Sequence, residues 1–261
     1  MRILFLFIPR ISWELSGNSY IKTGKLCVEL WYFVLSRKFL PFKNDYAILG
    51  IYNGNRINFY LRHVMDIAVL REVFVDKEYE WSEVKNPKFI IDLGAHFGDT
   101  TLFYHALYPT ATIVAVEPSP ENFERLVKHV KNIPQIIPIQ AAVGPVDGTV
   151  QLHVMESSLG HSITERAGSQ SAVTVIQLSL NSLLQKFNVK TVDLIKYDIE
   201  GAEFGLFNDS NPELFANYYI GEVHNDLNDN NFPPVESWFK QFQQTIIPIK
   251  LNRFLLKASI K

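Results

Sequence analysis

Acidic, small and histidine residues end five apolar runs of this 261-residue chain. The first run, FIIDLGAHFGDT at residues 89–100, stops at Asp92 and opens into a loop that contains Gly94 and Gly98. Glycines let the backbone turn tightly, and such a loop either approaches a nucleotide cofactor or forms a turn without chemistry. The Asp92 carboxylate is placed to order this loop or to attract a cation.

Four later apolar runs also end in polar or small residues. They end in Glu117-Pro118-Ser119, Gln140-Ala141-Ala142, residues 196–201 (KYDIEG) and Glu222-Val223-His224. Open α/β sheets bind their ligands beyond the carboxyl ends of the strands, at the point where the strand order reverses. Five such ends in succession therefore predict a single site at this edge of a sheet.

The first loop has the spacing D-x-G-x-x-x-G, with His96 where a dinucleotide-binding loop has its middle glycine. That glycine allows a pyrophosphate to approach the backbone, so a cofactor without a pyrophosphate fits this loop better. Glu117 ends the second run about 20 residues after the loop, where an acidic residue can accept both hydroxyls of a ribose. The alternative for Glu117 is a solvated carboxylate that starts a turn before Pro118.

Asp198, Glu200 and His224 are the candidate catalytic residues, because each can take a proton from a reacting group. If Asp198 and Glu200 lie in a regular strand, they point to the same face, and two carboxylates can also hold a divalent metal ion. The alternative for Glu200 is to cap the turn at Gly201. We assign no residue as a metal ligand, and we expect Glu203 to begin a helix whose dipole favours an acid.

Histidines outside this set have weaker claims to a role. His161, in the polar loop SSLGHSIT, is a candidate to line the site of a second substrate. Within the set, His224 is either a base or ligand at a strand end, or a structural histidine of the core.

Strands and helices alternate from residue 88 onward, which predicts the elements that position these residues. We predict an α/β fold: a doubly wound, mostly parallel, Rossmann-like seven-stranded sheet that closes with a C-terminal antiparallel hairpin strand. IIPIQAAVG is predicted as one strand, GTVQLHVM and SAVTVIQLSL as further strands, PELFANY and VESWFKQFQQ as helices, and TIIPIKLNRFLLKAS as the hairpin.

Residues 1–87 are predicted to form an N-terminal extension packed on a core domain at residues 88–261. The extension contains an amphipathic helix at residues 25–39, a hairpin around the sequence NGN, and a lead-in helix at IAVLREVFVDKEYEW. The first of these helices is basic and rich in aromatic residues. It either packs on the protein or makes a weak peripheral contact with a membrane surface.

Composition limits the class of protein. At 47% hydrophobic residues the chain can bury a large core, and its formal charge of −2 gives no reason to expect a nucleic-acid partner. The single cysteine, Cys27, excludes an intramolecular disulfide and is expected to be buried in packing. No apolar run reaches the ~20 residues that span a bilayer, so we expect a cytoplasmic protein. The oligomeric state is not predicted.

Four segments together resemble the FkbM-type methyltransferases, which are class I enzymes that use S-adenosylmethionine. These segments are IDLGAHFGDT, AVEPSPENFERL, AAVGPVDGTVQL and DLIKYDIEGAEFGLF, and KYDIEGAE is the most specific element. The resemblance covers residues 62–224. Upstream it includes Arg62 and Asp66, whereas Val64 and Met65 stand where the family commonly has small hydroxyl residues.

The resemblance implies a role for each matching position. Asp92, Gly94, Ala95 and Gly98 would wrap the methionine part of the cofactor, and Thr100 at the start of the next helix is assigned to the same site. Glu117 would bind the ribose, with Pro118 and Ser119 beside the adenine and Gln140 and Ala141 flanking it. Asp198 and Glu200 would face the transferred methyl group or its acceptor.

The predicted function is therefore an S-adenosylmethionine-dependent methyltransferase that acts on an oxygen atom. Family analogy implies a hydroxyl of a sugar, in a glycan or natural product, as the acceptor. Two alternatives stay open: an NAD(P)-dependent oxidoreductase on a Rossmann-like fold, and a non-catalytic module of glycan assembly. A divalent metal cofactor is possible on the same residues.

Overall fold

The structure is a computed structural model that describes residues 2–17, 19–39, 45–154, 171–207, 211–224, 237–250 and 253–261. His161 and the polar segment at residues 225–231 lie outside the described residues. The described chain divides into two compact units, one of Met1–Glu80 with Gly98–Pro109, the other of Trp81–Phe97 with Thr110–Lys261. The boundary at residues 87/88 between extension and core domain stays a prediction.

The first unit combines four α-helices with a hairpin. Its elements are α1 (Arg2–Glu14), α2 (Tyr20–Phe39), β1 (Tyr46–Tyr52), β2 (Asn55–Leu61), α3 (Asp66–Leu70), which continues as a π-helix over Arg71–Val75, and α4 (Asp99–Leu107). The predicted hairpin is present, and Asn53 and Gly54 turn it with φ angles of 47° and 79°. The lead-in helix ends at Val75 rather than Trp81, and Asp76 caps it by donating its backbone N–H to the Arg71 carbonyl while its carboxylate pairs with the Arg71 guanidinium.

Helix α2 buries the stripe that its sequence predicts. Leu26, Leu30, Phe33 and Val34 are at most 3% exposed, whereas Cys27 is only half-buried. Away from that stripe the helix carries five exposed apolar side chains: Tyr20, Ile21, Val28, Tyr32 and Leu35. Peripheral membrane contact through residues 25–39 stays a prediction. Among the described residues, no helix is long and apolar enough to cross a lipid bilayer.

The second unit is built on the predicted seven-stranded sheet. Its elements are β3 (Phe89–Leu93), β4 (Thr112–Val116), α5 (Pro120–Val130), β5 (Ile136–Ile139), β6 (Ala142–Val143), β7 (Gly148–Val154), β8 (Ser171–Leu178), α6 (Leu180–Lys186), β9 (Val192–Tyr197), α7 (Glu203–Phe207), a 3-10 turn (Pro212–Leu214), β10 (Ala216–His224), β11 (Phe242–Lys250) and β12 (Arg253–Ile260). The strand order is β11-β12-β10-β9-β3-β4-β5.

The sheet confirms the predicted fold class. The five strands from β10 to β5 run parallel, and β12 runs antiparallel between β10 and β11 in the predicted C-terminal hairpin. The chain passes outward from β3 to β4 and β5, then returns to the other side of β3 with β9 and β10. The order therefore reverses between β3 and β9, where open α/β sheets bind ligands.

Three predicted elements of the second unit differ from the structure. The segment IIPIQAAVG splits after Ile139, and its second half joins β7 and β8 in a separate three-stranded sheet. PELFANY is one 3-10 turn followed by a strand, because the Phe215 carbonyl accepts a hydrogen bond from Val192 at the start of β9. Residues 237–244 of the predicted helix VESWFKQFQQ form a turn and the start of β11, which bury Trp238, Phe239 and Phe242, and the first two residues of that segment lie outside the described residues.

Candidate functional site

Close backbone contacts join the tip of β3 to its neighbours. Gly94 and Ala95 both donate backbone hydrogen bonds of 3.0 Å to the carbonyl of Val116, and Asp198 donates one of 3.0 Å to Leu93. Gly94 has φ +73°, and a Cβ at this position would collide with the backbone carbonyl of Asp198. The strand order therefore brings the loop after β3 and the turn after β9 to one edge of the sheet.

Asp92 pairs with a buried lysine of the neighbouring strand. Its carboxylate lies 3.1 Å from Lys196 Nζ, and the two side chains are 0% and 3% exposed. Lys196 Nζ also donates a hydrogen bond of 2.9 Å to the carbonyl of Gly94. Asp92 thus faces a cation of the chain itself, and through Lys196 the pair orders the glycine loop.

Glu117 is held at the tip of β4 by two backbone donors. Its two oxygens accept 2.9 Å hydrogen bonds from the N–H groups of His96 and Ser119. Burial raises the pKa of Glu117 to about 7, although these hydrogen bonds lower it in part. A carboxylate offers about four lone-pair positions, so both oxygens keep acceptor capacity for ribose hydroxyls.

His224 ends β10 inside a group of carboxylates. Its Nδ1 lies 3.2 Å from Oε1 of Glu203, and its Nε2 lies 3.5 Å from Glu200 and 3.7 Å from Asp198 and from Glu222. Burial by itself lowers the pKa of His224, but the hydrogen bond to Glu203 and the charges of Glu203, Asp198 and Glu200 raise it to about 10. At neutral pH the imidazole therefore keeps its proton when no other cation is present.

Glu203 is fully buried and organises the turn after β9. Its Oε1 accepts a hydrogen bond of 3.1 Å from Ile199 N, and its Oε2 accepts one of 2.9 Å from Gly201 N. Glu203 begins α7 as predicted, and it, not Glu200, bonds the turn at Gly201. Glu200 has a φ of +55°, so it is not part of a regular strand with Asp198.

The remaining predicted cofactor residues have varied surroundings. Gly98 precedes α4 with φ +97°, and Thr100 is buried in the first turn of that helix. Ser119 caps α5 through its hydroxyl, and Pro118 beside it is half-buried. Gln140 is exposed, whereas Ala141 is buried in the core of the second unit. Their cofactor contacts stay predictions.

Lys196 and Glu203 are functional candidates that the sequence reasoning missed or placed in a lesser role. A lysine within the apolar strand VDLIKY is itself a signal, because a lysine is almost never fully buried unless it is paired. The sequence assigned Glu203 only to the helix start. Its bond to His224, 21 residues away, depends on the pairing of β9 with β10.

Residues 92–244 match the model of the methyltransferase FkbM domain, which is more than half of the chain. The chain belongs to the FkbM methyltransferase family. Its members are S-adenosylmethionine-dependent methyltransferases, and the match spans the tips of β3, β4, β9 and β10. The FkbM assignment confirms the predicted family.

Curated relatives of this FkbM chain carry methyltransferase names. "Methyltransferase 1" of Beauveria bassiana is 27% identical over 61% of this chain and 69% of the relative. "Hexuronic acid methyltransferase AglP" of Haloferax volcanii is 23% identical over 54% of this chain and 58% of the relative.

Among solved structures, fibrillarin of Aeropyrum pernix with natively bound S-adenosyl-L-methionine has a TM-score of 0.44. It is 15% identical and covers 81% of this FkbM chain and 82% of its own. At that score the likeness adds nothing to the assignment, which rests on the domain match and the strand order.

Proposed function

We propose that this methyltransferase moves the methyl group of S-adenosylmethionine to a hydroxyl oxygen of a sugar or sugar-like natural product. The observation that carries the proposal is the acidic turn Asp198–Gly201 beside the glycine loop after β3, where a Cβ on Gly94 would meet the Asp198 carbonyl. A hydroxyl acceptor needs a base next to the methyl donor, and this edge of the sheet supplies carboxylates there.

Two groups of the second unit support the proposed position of the cofactor. The loop of Gly94 and Ala95 offers a tight backbone turn for the methionine part, and Glu117 offers its oxygens to the ribose. Glu117 is 5% exposed and oriented by two backbone donors, so it is preorganised to accept hydrogen bonds from the ribose hydroxyls. NAD(P) would bring a pyrophosphate to the position of His96, where a dinucleotide-binding loop has a glycine. The His96 side chain therefore disfavours the oxidoreductase alternative, whereas S-adenosylmethionine has no pyrophosphate.

The methyl transfer needs alignment and the removal of one proton. A lone pair of the acceptor oxygen forms the C–O bond while the C–S bond breaks and leaves both its electrons on sulfur. The acceptor proton passes to a carboxylate, for which Asp198 and Glu200 are the candidates. His224 already carries a proton at neutral pH, so we assign it a positioning role rather than the role of base.

Two observations support a sugar-like hydroxyl as the acceptor. AglP, to which the chain is 23% identical, is named a hexuronic acid methyltransferase. The formal charge of −2 provides no electrostatic attraction for nucleic acid. A small-molecule or glycan acceptor and a cytoplasmic location remain part of the proposal.

The test begins with the cofactor. In a thermal-shift series, S-adenosylmethionine and S-adenosylhomocysteine should raise the melting temperature, and NAD should not, since a ligand of the native state stabilises it. Transfer of an isotope-labelled methyl group to hydroxyl-rich acceptors, with hexuronic acids included, then tests the reaction. Cofactor binding without transfer to any cellular glycan or metabolite would favour the non-catalytic module instead.

A further inference from the structure

The carboxyl ends of β9 and β10 bring together one imidazole nitrogen and several carboxylate oxygens. One oxygen each of Asp198 and Glu222 and a ring nitrogen of His224 lie within 4.8 Å of one another. We propose that these three side chains bind a divalent transition-metal ion, and that Glu203 holds His224 in the orientation that binding requires. The role of the ion in methyl transfer rests on the proposed function, whereas the metal site itself rests only on the positions of these side chains.

The orientation of His224 is the independent observation that points to an ion. The side chain is 1% exposed, and its Nδ1 is engaged by Glu203, which is itself fully buried. Metal-bound histidines usually donate their second ring N–H to a carboxylate or carbonyl, which fixes the tautomer and aims the other nitrogen at the metal. Here Oε1 of Glu203 lies 3.2 Å from Nδ1 as the acceptor of that N–H, and Nε2 faces the oxygens of Asp198 and Glu222.

The distances around Nε2 are too long for hydrogen bonds and suit ligands of one ion. Nε2 lies 3.7 Å from Asp198 Oδ1 and 3.7 Å from Glu222 Oε2, beyond the usual 2.7–3.2 Å range of an N–H···O bond. Two ligands that each lie about 2.0–2.2 Å from one ion are separated by at most roughly 4.4 Å. Both 3.7 Å separations lie within that limit, and because all three ligand atoms lie within 4.8 Å of one another, a small contraction of the side chains completes the site.

The ligand set favours a particular class of ion. Imidazole suits zinc, iron, nickel and copper, whereas carboxylates suit magnesium, calcium and manganese. One buried histidine with two carboxylates selects ions that accept both kinds of ligand, such as Mn²⁺ and Zn²⁺. Coordination at Nε2 needs the neutral ring, with the remaining ring proton on Nδ1 beside Glu203.

The ion would act on the acceptor hydroxyl of the proposed reaction. A bound divalent cation holds an oxygen ligand and lowers the pKa of its proton, which helps a weakly nucleophilic alcohol. Asp198 is then a metal ligand, and Glu200 remains as the base that receives the proton. Glu200 lies 3.5 Å from Nε2 but is not one of the three mutually close ligands.

Titration of the chelator-treated full chain with Mn²⁺, followed by electron paramagnetic resonance, tests the proposal directly. We expect one Mn²⁺ per chain, competition by Zn²⁺, and little competition by Mg²⁺. His224→Gln and Glu222→Gln should each abolish the stoichiometric site. Glu203→Gln, which leaves all three ligands in place, should weaken Mn²⁺ binding by about 10–100-fold.

Two controls keep the test decisive. Glu124→Gln removes an exposed carboxylate of α5, outside the cluster, and should leave Mn²⁺ binding unchanged. Circular dichroism identifies any variant that fails to fold, and Glu222→Gln is the safer of the two ligand variants because its side chain is 17% exposed.

Absence of stoichiometric Mn²⁺ or Zn²⁺ binding overturns the proposal, as does binding that survives both Glu222→Gln and His224→Gln. In that case the carboxylates are neutralised by cations of the chain, such as Arg253, which stands opposite His224 in the register of β10 and β12. Methyl transfer without metal binding would refute this inference and leave the proposed function intact. Metal binding without binding of S-adenosylmethionine would refute the proposed function and leave the metal site intact.

Discussion

Glu203 and His224 are joined by a hydrogen bond of 3.2 Å between Oε1 and Nδ1, and both side chains are buried. The same Glu203 carboxylate accepts hydrogen bonds from the backbone N–H groups of Ile199 and Gly201. One acid therefore fixes both the acidic turn after β9 and the imidazole at the end of β10.

Replacing Glu203 by Gln should lower the pKa of His224 from about 10 towards its ordinary value of 6.5. The change removes the nearest negative charge and replaces one carboxylate oxygen by an amide NH2 group, so the ring N–H is left with at most a neutral acceptor. Because the folded-state pKa is raised, the stabilisation it gives is complete below pH 6.5 and is lost as pH rises through 10. NMR titration of the His224 ring and pH-dependent unfolding should both show a smaller effect in the variant; an unchanged titration would contradict the coupling.

Gly94→Ala should destabilise the protein and damage cofactor binding. The residue has φ +73°, and the added methyl group would meet the Asp198 carbonyl. Backbone strain of this kind costs about 1–3 kcal/mol, which lowers the melting temperature by roughly 2–12 °C in a chain of this size. Gly148→Ala is the matched control, because no atom lies within 4 Å of a Cβ there.

Glu117 should make cofactor affinity depend on pH. Its pKa of about 7 in the free protein means that ribose binding, which favours the carboxylate, releases a proton. Affinity for S-adenosylmethionine in calorimetry should fall by up to about tenfold per unit as pH drops below 7. Glu117→Gln should bind weakly with no such dependence, and tight binding by Glu117→Ala would remove this residue from the ribose site.

Glu117 should affect the stability of the free protein in the same pH range. Since its folded-state pKa is raised, its contribution is complete below pH 4.5 and is lost as pH rises through 7. Relative to Glu117→Gln, the wild-type protein should therefore lose stability between pH 5 and 8, by up to about 3 kcal/mol. Parallel unfolding curves of the two proteins across that range would contradict the assignment.

Asp198→Asn should spare folding and nearly abolish turnover. The side chain is 27% exposed, and its backbone bond to Leu93 is unaffected by the change. Loss of a general base or metal-ligand carboxylate costs about 10²–10⁴-fold in kcat, whereas the affinity for S-adenosylmethionine should change little. A fully active variant in a labelled-methyl assay would exclude Asp198 from the reaction.

Lys196→Met should lower the free energy of unfolding by about 3–5 kcal/mol, because it removes the buried cation that lies 3.1 Å from the fully buried Asp92 carboxylate. The double variant Asp92→Asn with Lys196→Met should recover much of that loss, as expected for two groups in direct contact. Chemical denaturation of the single and double variants measures the coupling; additive effects would show that the pair does not act as one unit.

The sequence alone determined the fold class, the hairpin and the set of strand ends, because local signals carry them. Alternating apolar runs specify strands and helices, Asn53-Gly54 specifies a tight hairpin turn, and Ser119-Pro120 specifies the start of α5. The acidic and glycine residues at the strand ends then indicated the edge of the sheet where a site belongs.

Only the tertiary structure decided how those residues pair. It split IIPIQAAVG between two sheets, replaced two expected helices by turns and strands, and joined Asp92 to Lys196 and Glu203 to His224. Hydrophobic periodicity records which side chains are buried, and Trp238 and Phe239 are buried in a turn as well as they would be in a helix. Partners far apart in the chain are set by strand order and register, which no local pattern contains.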